Sequence, residues 1–266
     1  MKTQNFRIIA CNVMWRELCY YASLSQNKFD FKFLPYGLHG DPNQLRKEVQ
    51  QAVDETPAGF DAILLGYGLC SKGVEGVSAV TTRLVITRGH DCMTCFLGSK
   101  TRYREYFDAH PGTYWYTPGW IENHLAPGKD RYEWTYRHYV EKYGEEDAQY
   151  LMEMEQGWFQ EYSNAAYVDM GIGNFEKHKA YTQQCAEWLK WRYDEIQGDG
   201  SLFRRFVDGI WDSNEFLMVE PGYFVEATND ENIFRAAPRK PSDQTLESTS
   251  FANDGSGREF LKTTLH

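Results

Sequence analysis

A chain of 266 residues, 42% of them hydrophobic, can bury one sizeable core with a smaller annex and does not require two full domains. Its formal charge of -10, with no Lys/Arg stripe to override that balance, argues against a nucleic-acid footprint and leaves a small-molecule ligand or another protein as partner. The N-terminal MKTQNFRIIACNV has no apolar leader region and no stretch of the chain is long and apolar enough for a membrane span, which predicts a cytoplasmic protein without a membrane partner.

The first half alternates strand-like and helix-like segments. FRIIACNV (Phe6 to Val13), FDFKFLPYG (Phe29 to Gly37), AILLGYG (Ala62 to Gly68) and RLVITRG (Arg83 to Gly89) are short, rich in β-branched or aromatic residues, and in several cases bounded by Gly or Pro. Between the second and third, DPNQLRKEVQQAVDE offers Asp41 as a cap, Pro42 at the first helical position, and Leu45, Val49 and Val53 on one face. Strand, helix, strand is a parallel crossover, so the expected fold class is α/β: an open, mostly parallel sheet with helices on both faces, in three layers.

Farther along, Gly112 to Trp120, Asn164 to Gly171 and Glu215 to Gly222 read as further strands extending that sheet. The polar, aromatic segment at about 128–158 reads as a helical insert. EKHKAYTQQCAEWLKWRYDEI reads as one helix, and SLFRRFVDGIWD as a short one ending near Gly209. Residues 1–237 then form a single α/β domain, followed by a disordered tail from Pro238 to His266, rich in Pro, Ser, Asp and Gly.

Six cysteines at irregular spacing without an export signal are better read as thiols or metal ligands than as a disulfide framework. Cys11 lies at the C-terminal end of the first candidate strand, and Cys70 and Cys92 follow the third and fourth. In an open parallel sheet the carboxyl ends share one edge, and with strand order 2-1-3-4 the first, third and fourth strands are neighbours at about 4.8 Å. Their end loops can therefore converge. His90 lies two residues before Cys92, and His39 follows the second strand. Thiolates with imidazole suit Zn²⁺, or an iron–sulfur cluster held by three cysteines with one open iron. Asp91 and Glu17 are candidates to orient a histidine or to handle protons, as His39 and His90 are themselves.

Around these lie candidate ligand-binding residues. Tyr67 and Gly68 belong to GYGLCSKGVEG, whose glycines match neither GxGxxG nor a Walker A loop and fit flexible backbone around a ligand. Lys72 and Arg88 flank the cysteines, where they could favour thiolates or hold an anion. Cys92 and Cys95 have CxxC spacing, which leaves open a redox dithiol. Cys19 and Cys185 fall inside helical segments and read as packing residues.

Taken together, RIIACNV, GLHGDPNQLRKEVQQAVDE, FDAILLGYGLCSKGVEG, LVITRGHDCMTCFLGSKTRYREYF, PGTYWYTPGWIE and LFRRFVDGIWDSNEFLMVEPG resemble, in order from Phe6 to Gly222, the domain-of-unknown-function family numbered 1638. The resemblance carries Cys11, His39, Cys70, His90 and Cys92; Cys95, the insert and the tail depart from it. Because similar proteins occur among anaerobes rich in corrinoid-dependent methyltransferases, the resemblance implies a one-carbon or methyl-transfer setting. Two functions follow as expectations. One is an enzyme with a zinc or iron–sulfur centre on Cys11, Cys70 and Cys92, with His90 as fourth ligand or proton donor. The other is a non-catalytic module that binds a metal or a corrinoid and serves a corrinoid protein or methyltransferase, with His39 or His90 as a lower ligand to cobalt.

Overall fold

The computed structural model describes residues 2–239. β1 (Asn5–Cys11) is buried without interruption from Ile8 to Cys11, as expected of a strand enclosed in a parallel sheet. A 3₁₀ turn leads into α1 (Trp15–Leu24), which returns the chain to β2 (Lys28–Leu34). The turn Tyr36–Gly40 precedes α2 (Pro42–Asp54), which starts as the sequence predicts: Asp41 accepts the N–H groups of Asn43 at 3.0 Å and Gln44 at 3.2 Å, and Pro42 fills the first position. β3 (Ala62–Gly66) and β4 (Leu84–Thr87) are wholly buried.

After β4 come α3 (Met93–Leu97), α4 (Lys100–Ala109), β5 (Thr113–Tyr116) and α5 (Pro118–Asn123). The expected insert is a pair of helices, α6 (Lys129–Tyr143) and α7 (Glu145–Gly157), packed over Tyr139, Ala148 and Met152. The chain continues through β6 (Asn164–Asp169), α8 (Glu176–Leu189), β7 (Arg192–Gln197), α9 (Ser201–Asp208), β8 (Phe216–Val219), β9 (Tyr223–Ala227) and β10 (Phe234–Pro238).

The fold is α/β with an open, mostly parallel main sheet in the order β2-β1-β3-β4-β8. The first four strands are parallel, in the expected 2-1-3-4 arrangement. The chain steps from β1 outward to β2 and then back across to β3, which, with crossovers of the usual right hand, puts α1 and α2 on opposite faces. α9 packs beside α1.

Four expectations are corrected. β8 joins β4 antiparallel, with Val85 opposite Met218, and so takes the edge on which the sheet would have grown. β5 and β6 consequently form a separate parallel sheet with β7, in the order β5-β6-β7. β7 lies within the segment that reads as helix: α8 stops where Lys190 adopts φ 60, and a left-handed lysine gives none of the warning a glycine would. Pro238, placed in the tail by sequence, pairs with Tyr223 at the end of β10, and residues 240–266 lie outside those described. Among the described residues no helix is long and apolar enough to cross a membrane.

Candidate functional site

The main sheet brings the three predicted thiols to its carboxyl edge. Cys11 ends β1 in register with Leu34 of β2, while Ala10 faces Gly66 of β3. The loops after β3 and β4 are joined by backbone hydrogen bonds: Leu69 N–H donates to Gly89 O over 2.8 Å and Cys70 N–H to His90 O over 2.9 Å. Gly68 permits that approach, because a Cβ there would stand 2.6 Å from the carbonyl carbon of Asp91. Its role is close packing. Cys92 immediately precedes α3. Cys11, Cys70 and Cys92 are buried, and all six cysteines are free thiols.

Cys70, Ser71 and Lys72 have φ of 47, 54 and 68, three successive non-glycine residues in the left-handed region. Each costs about 1–2 kcal/mol relative to ordinary backbone. Gly73 N–H closes the turn onto Cys70 O over 2.9 Å, and Arg46 Nη2 holds Lys72 O over 3.1 Å. The strained turn keeps Cys70 inside and leaves Ser71 and Lys72 exposed.

Burial sets the chemistry of these thiols. It pushes Cys11 up to about 12 and raises Cys70 and Cys92 as well, and charge on any one of the three opposes charge on the others. At neutral pH they are protonated. Cys95 is likewise pushed up to about 12 by burial and hydrogen-bonds Thr87, a setting for an inert thiol rather than an attacking one. Tyr67, whose own pKa is raised by burial and by Cys11, Cys70 and Cys92, holds a buried hydroxyl with no hydrogen-bond partner among the described residues. Among the described residues no three His, Cys, Asp or Glu side chains already form a metal-holding group. Bringing the thiols onto one ion would require rotation about their χ1 bonds.

The two predicted histidines are placed differently. His39 is half-buried after β2, its Nδ1 lies 2.9 Å from Tyr36 O, and burial lowers its pKa, so the ring is neutral near pH 7. It stacks on Tyr36 with centroids 5.1 Å apart and approaches the ring of Tyr67 at 6.1 Å. His90 is exposed and lines a cleft of about 750 Å³ with Lys72, Thr94, Lys100 and Tyr103. Asp91 is fixed between the two regions: its Oδ1 accepts Met93 N–H over 2.9 Å and its Oδ2 accepts the Tyr103 hydroxyl over 2.8 Å.

Two candidates stand apart from the thiols. Arg88 is buried with its guanidinium donating to Ser213 O at 2.9 Å, Asn232 O at 2.7 Å and Phe234 O, so it ties down the β8 approach and the β9–β10 turn. Glu17 is buried on α1 with Oε2 unpartnered among the described residues; burial pushes it up to about 7, against the pull of Arg16. Its charged neighbours are Arg16 and Glu122. Sequence reasoning passes over Tyr36 and Tyr103, which orient His39 and Asp91. Neither carries a motif, although Tyr36 is three residues from His39 in a Pro/Gly-bounded turn.

No curated protein and no solved structure matches the chain. A family model described as "Protein of unknown function (DUF1638)" matches residues 33–207, a span that contains His39, Cys70, His90 and Cys92 and begins after Cys11, and the chain belongs to that family.

Proposed function

We propose that the protein is a metal-dependent α/β enzyme whose centre is built on Cys11, Cys70 and Cys92. The observation that carries this reading is the arrival of three buried, unpaired thiols from the ends of three adjacent parallel strands at one sheet edge, where ligands bind in such folds. The donor set fits a borderline-soft cation such as zinc, and also an iron–sulfur cluster with one open iron. The orphaned Tyr67 hydroxyl adds to the fit, since a thiol that gives up its proton becomes a strong acceptor beside it.

A bound cation would supply Lewis acidity. The chain's own residues supply the rest. The cleft lined by Leu69, Lys72, His90 and Thr94, neighbours in sequence of Cys70 and Cys92, offers room for a small molecule, and the exposed ammonium of Lys72 and the imidazole of His90 face it to hold an anionic group and to exchange a proton. Asp91, fixed by Tyr103 and the Met93 amide, holds the segment between His90 and Cys92 in place.

The test is elemental analysis and the visible spectrum of full-length protein purified without oxygen, beside Cys11→Ser and Cys70→Ser. Near-stoichiometric zinc without colour, lost in both variants, supports the zinc enzyme. A brown protein with iron and sulfide, lost likewise, supports the cluster form. Wild type without metal, or variants that keep it at the wild-type level, overturns the centre. Cobalamin uptake by metal-free wild type would instead favour the non-catalytic partner of a corrinoid protein or methyltransferase.

A further inference from the structure

We infer that the cleft takes a short aliphatic monocarboxylate and that Lys100 anchors its charge. This names a substrate class for the site proposed above and rests on the cleft being where substrate binds; it draws nothing from the metal. At about 750 Å³ the cleft is large enough to enclose a small organic molecule. One side of it is α4, the other is the turn from Ala227 to Ile233 between β9 and β10, and Leu69, Lys72 and His90 contribute to the rest.

The lining is fixed in advance. Five non-glycine residues among those described hold positive φ, and four of them, Cys70, Ser71, Lys72 and Ile233, lie on the cleft or next to it. Ile233, at φ 68, is an outlier for a β-branched side chain. Tethers hold it there: Arg88 donates to the carbonyls on either side, those of Asn232 and Phe234, and Lys100 Nζ donates to Glu231 O over 3.3 Å. Costly backbone of this kind concentrates where ligands are clamped.

The charges select the ligand. Among the lysines, arginines and carboxylates of the lining only Lys100 is half-buried; Lys72, Arg104, Glu105, Asp230 and Glu231 are exposed. Arg104 is engaged by Asp108 at 2.7 Å, and Asp230 by the Thr228 hydroxyl at 2.9 Å and the Asn232 amide at 2.8 Å. Lys100 and Lys72 have no ion pair among the described residues. The buried carboxylate of Glu215 takes the backbone N–H of Lys100 over 3.2 Å, not its ammonium. A half-buried ammonium with three donors and a single carbonyl acceptor is short of acceptors, and an anion supplies them. The exposed carboxylates Glu105 and Glu231 repel a dianion about twice as strongly as a monoanion, which favours a carboxylate over a phosphate. Leu69, Ala227 and Ile233 offer an aliphatic contact, while the Tyr103 hydroxyl is already given to Asp91, so the body that accompanies the charge is aliphatic.

The experiment is calorimetric titration of metal-free, full-length protein with hexanoate, hexan-1-ol and monohexyl phosphate. The Ile233 δ-methyl resonance, assigned through Ile233→Val, reports where the ligand sits. Hexanoate should bind with a Kd of about 1 mM or tighter and shift that resonance, and the alcohol and the phosphate should bind at least about tenfold more weakly. Lys100→Met should weaken hexanoate by at least about tenfold, and Lys100→Arg, which keeps the charge, should retain most of the affinity. No binding of hexanoate, equal binding of the alcohol, tighter binding of the phosphate, an unmoved Ile233 methyl, or wild-type affinity in Lys100→Met overturns the assignment. The ligand series and the methyl resonance use no Lys100 variant and still decide the question should Lys100→Met fail to fold. Because the protein titrated carries no metal, failure here leaves the thiol centre standing, and absence of that centre by elemental analysis leaves hexanoate binding as measured.

Discussion

The hydroxyl of Tyr103 donates to Asp91 Oδ2 over 2.8 Å, so a residue of the cleft wall fixes the carboxylate that separates His90 from Cys92. Burial raises the Asp91 pKa, and the hydrogen bond from Tyr103 opposes that rise. The stability linked to Asp91 is therefore full below its unfolded pKa and is lost as pH climbs through its raised folded value. Tyr103→Phe removes the opposing bond and should deepen that loss. We expect a deficit of about 1–3 kcal/mol near pH 7 that shrinks in acid. Melting temperatures of both proteins from acid to neutral pH check it; a deficit constant in pH would mean that Asp91 does not sense Tyr103.

Glu17 gives a second pH-dependent term, independent of any metal. Its folded pKa of about 7 lies above the ordinary 4.5, so its contribution is present in acid and disappears as pH rises through 7. Above that point the native state must hold a buried carboxylate with one oxygen unpartnered. Glu17→Gln should stabilise the protein above pH 7 by up to about 3 kcal/mol relative to its effect in acid. Urea unfolding of the two proteins at both ends of this range measures the difference. A gap that does not widen with pH would place the charge of Glu17 in contact with water.

The parallel strands β1, β3 and β4 and the gathering of Cys11, Cys70 and Cys92 at one edge are legible in the sequence, because apolar runs mark buried parallel strands and each cysteine ends or follows one, whereas the order 2-1-3-4 is an assumption there that the fold bears out. Direction and partnership of the later strands are not. Nothing in FLMV distinguishes an antiparallel edge strand from a parallel one, yet β8 takes the edge beside β4 and β5 and β6 pair in a second sheet. β7 is hidden because its alternation follows a helix that ends on a left-handed lysine. Within the site, spacing identifies both histidines as candidates but cannot tell that His39 is bonded to a carbonyl while His90 faces the cleft. It also gives no sign of the left-handed turn at Cys70, since none of its three residues is glycine.

That turn yields a prediction of opposite sign to most substitutions. Ser71 is exposed and held at φ 54. Glycine relieves the left-handed penalty of about 1–2 kcal/mol but loses about 0.5–1 kcal/mol through the freer unfolded chain. Ser71→Gly should thus leave stability unchanged or raise it by up to about 1.5 kcal/mol, where glycine at an ordinary exposed loop position would lower it. Calorimetry of the metal-free protein measures this. A clear destabilisation would mean that the turn is not left-handed in solution.

Arg88 separates a structural cation from a functional one. Its donors reach the carbonyls of Ser213, Asn232 and Phe234, and methionine would keep much of its volume while leaving those carbonyls unmatched. Arg88→Met should cost about 3 kcal/mol or more, read by thermal unfolding, while the metal content of the folded fraction stays at the wild-type level. Loss of metal from protein that is still folded would give Arg88 a part in the site.

Gly68 tests whether the joined loops after β3 and β4 are what shields the thiols. A methyl group there would press on the Asp91 backbone at 2.6 Å, and backbone cannot rotate away as a side-chain end can. The loops must then separate, weakening the bonds from Leu69 to Gly89 and from Cys70 to His90. Cys70 and Cys92 lose their cover when that happens, because Cys70 is itself part of this joint and Cys92 follows its His90 by two residues. Gly68→Ala should lower stability by at least about 1–3 kcal/mol and make two thiols react rapidly with an aromatic disulfide reagent in metal-free native protein, where wild type reacts slowly. Mass spectrometry of the labelled peptides identifies which cysteines have opened. Labelling confined to Cys19, the thiol that is already partly exposed, would show that the joint does not guard the site. Labelling of Cys70 and Cys92 in the variant alone would tie their protection to a glycine whose role is to let two backbones meet.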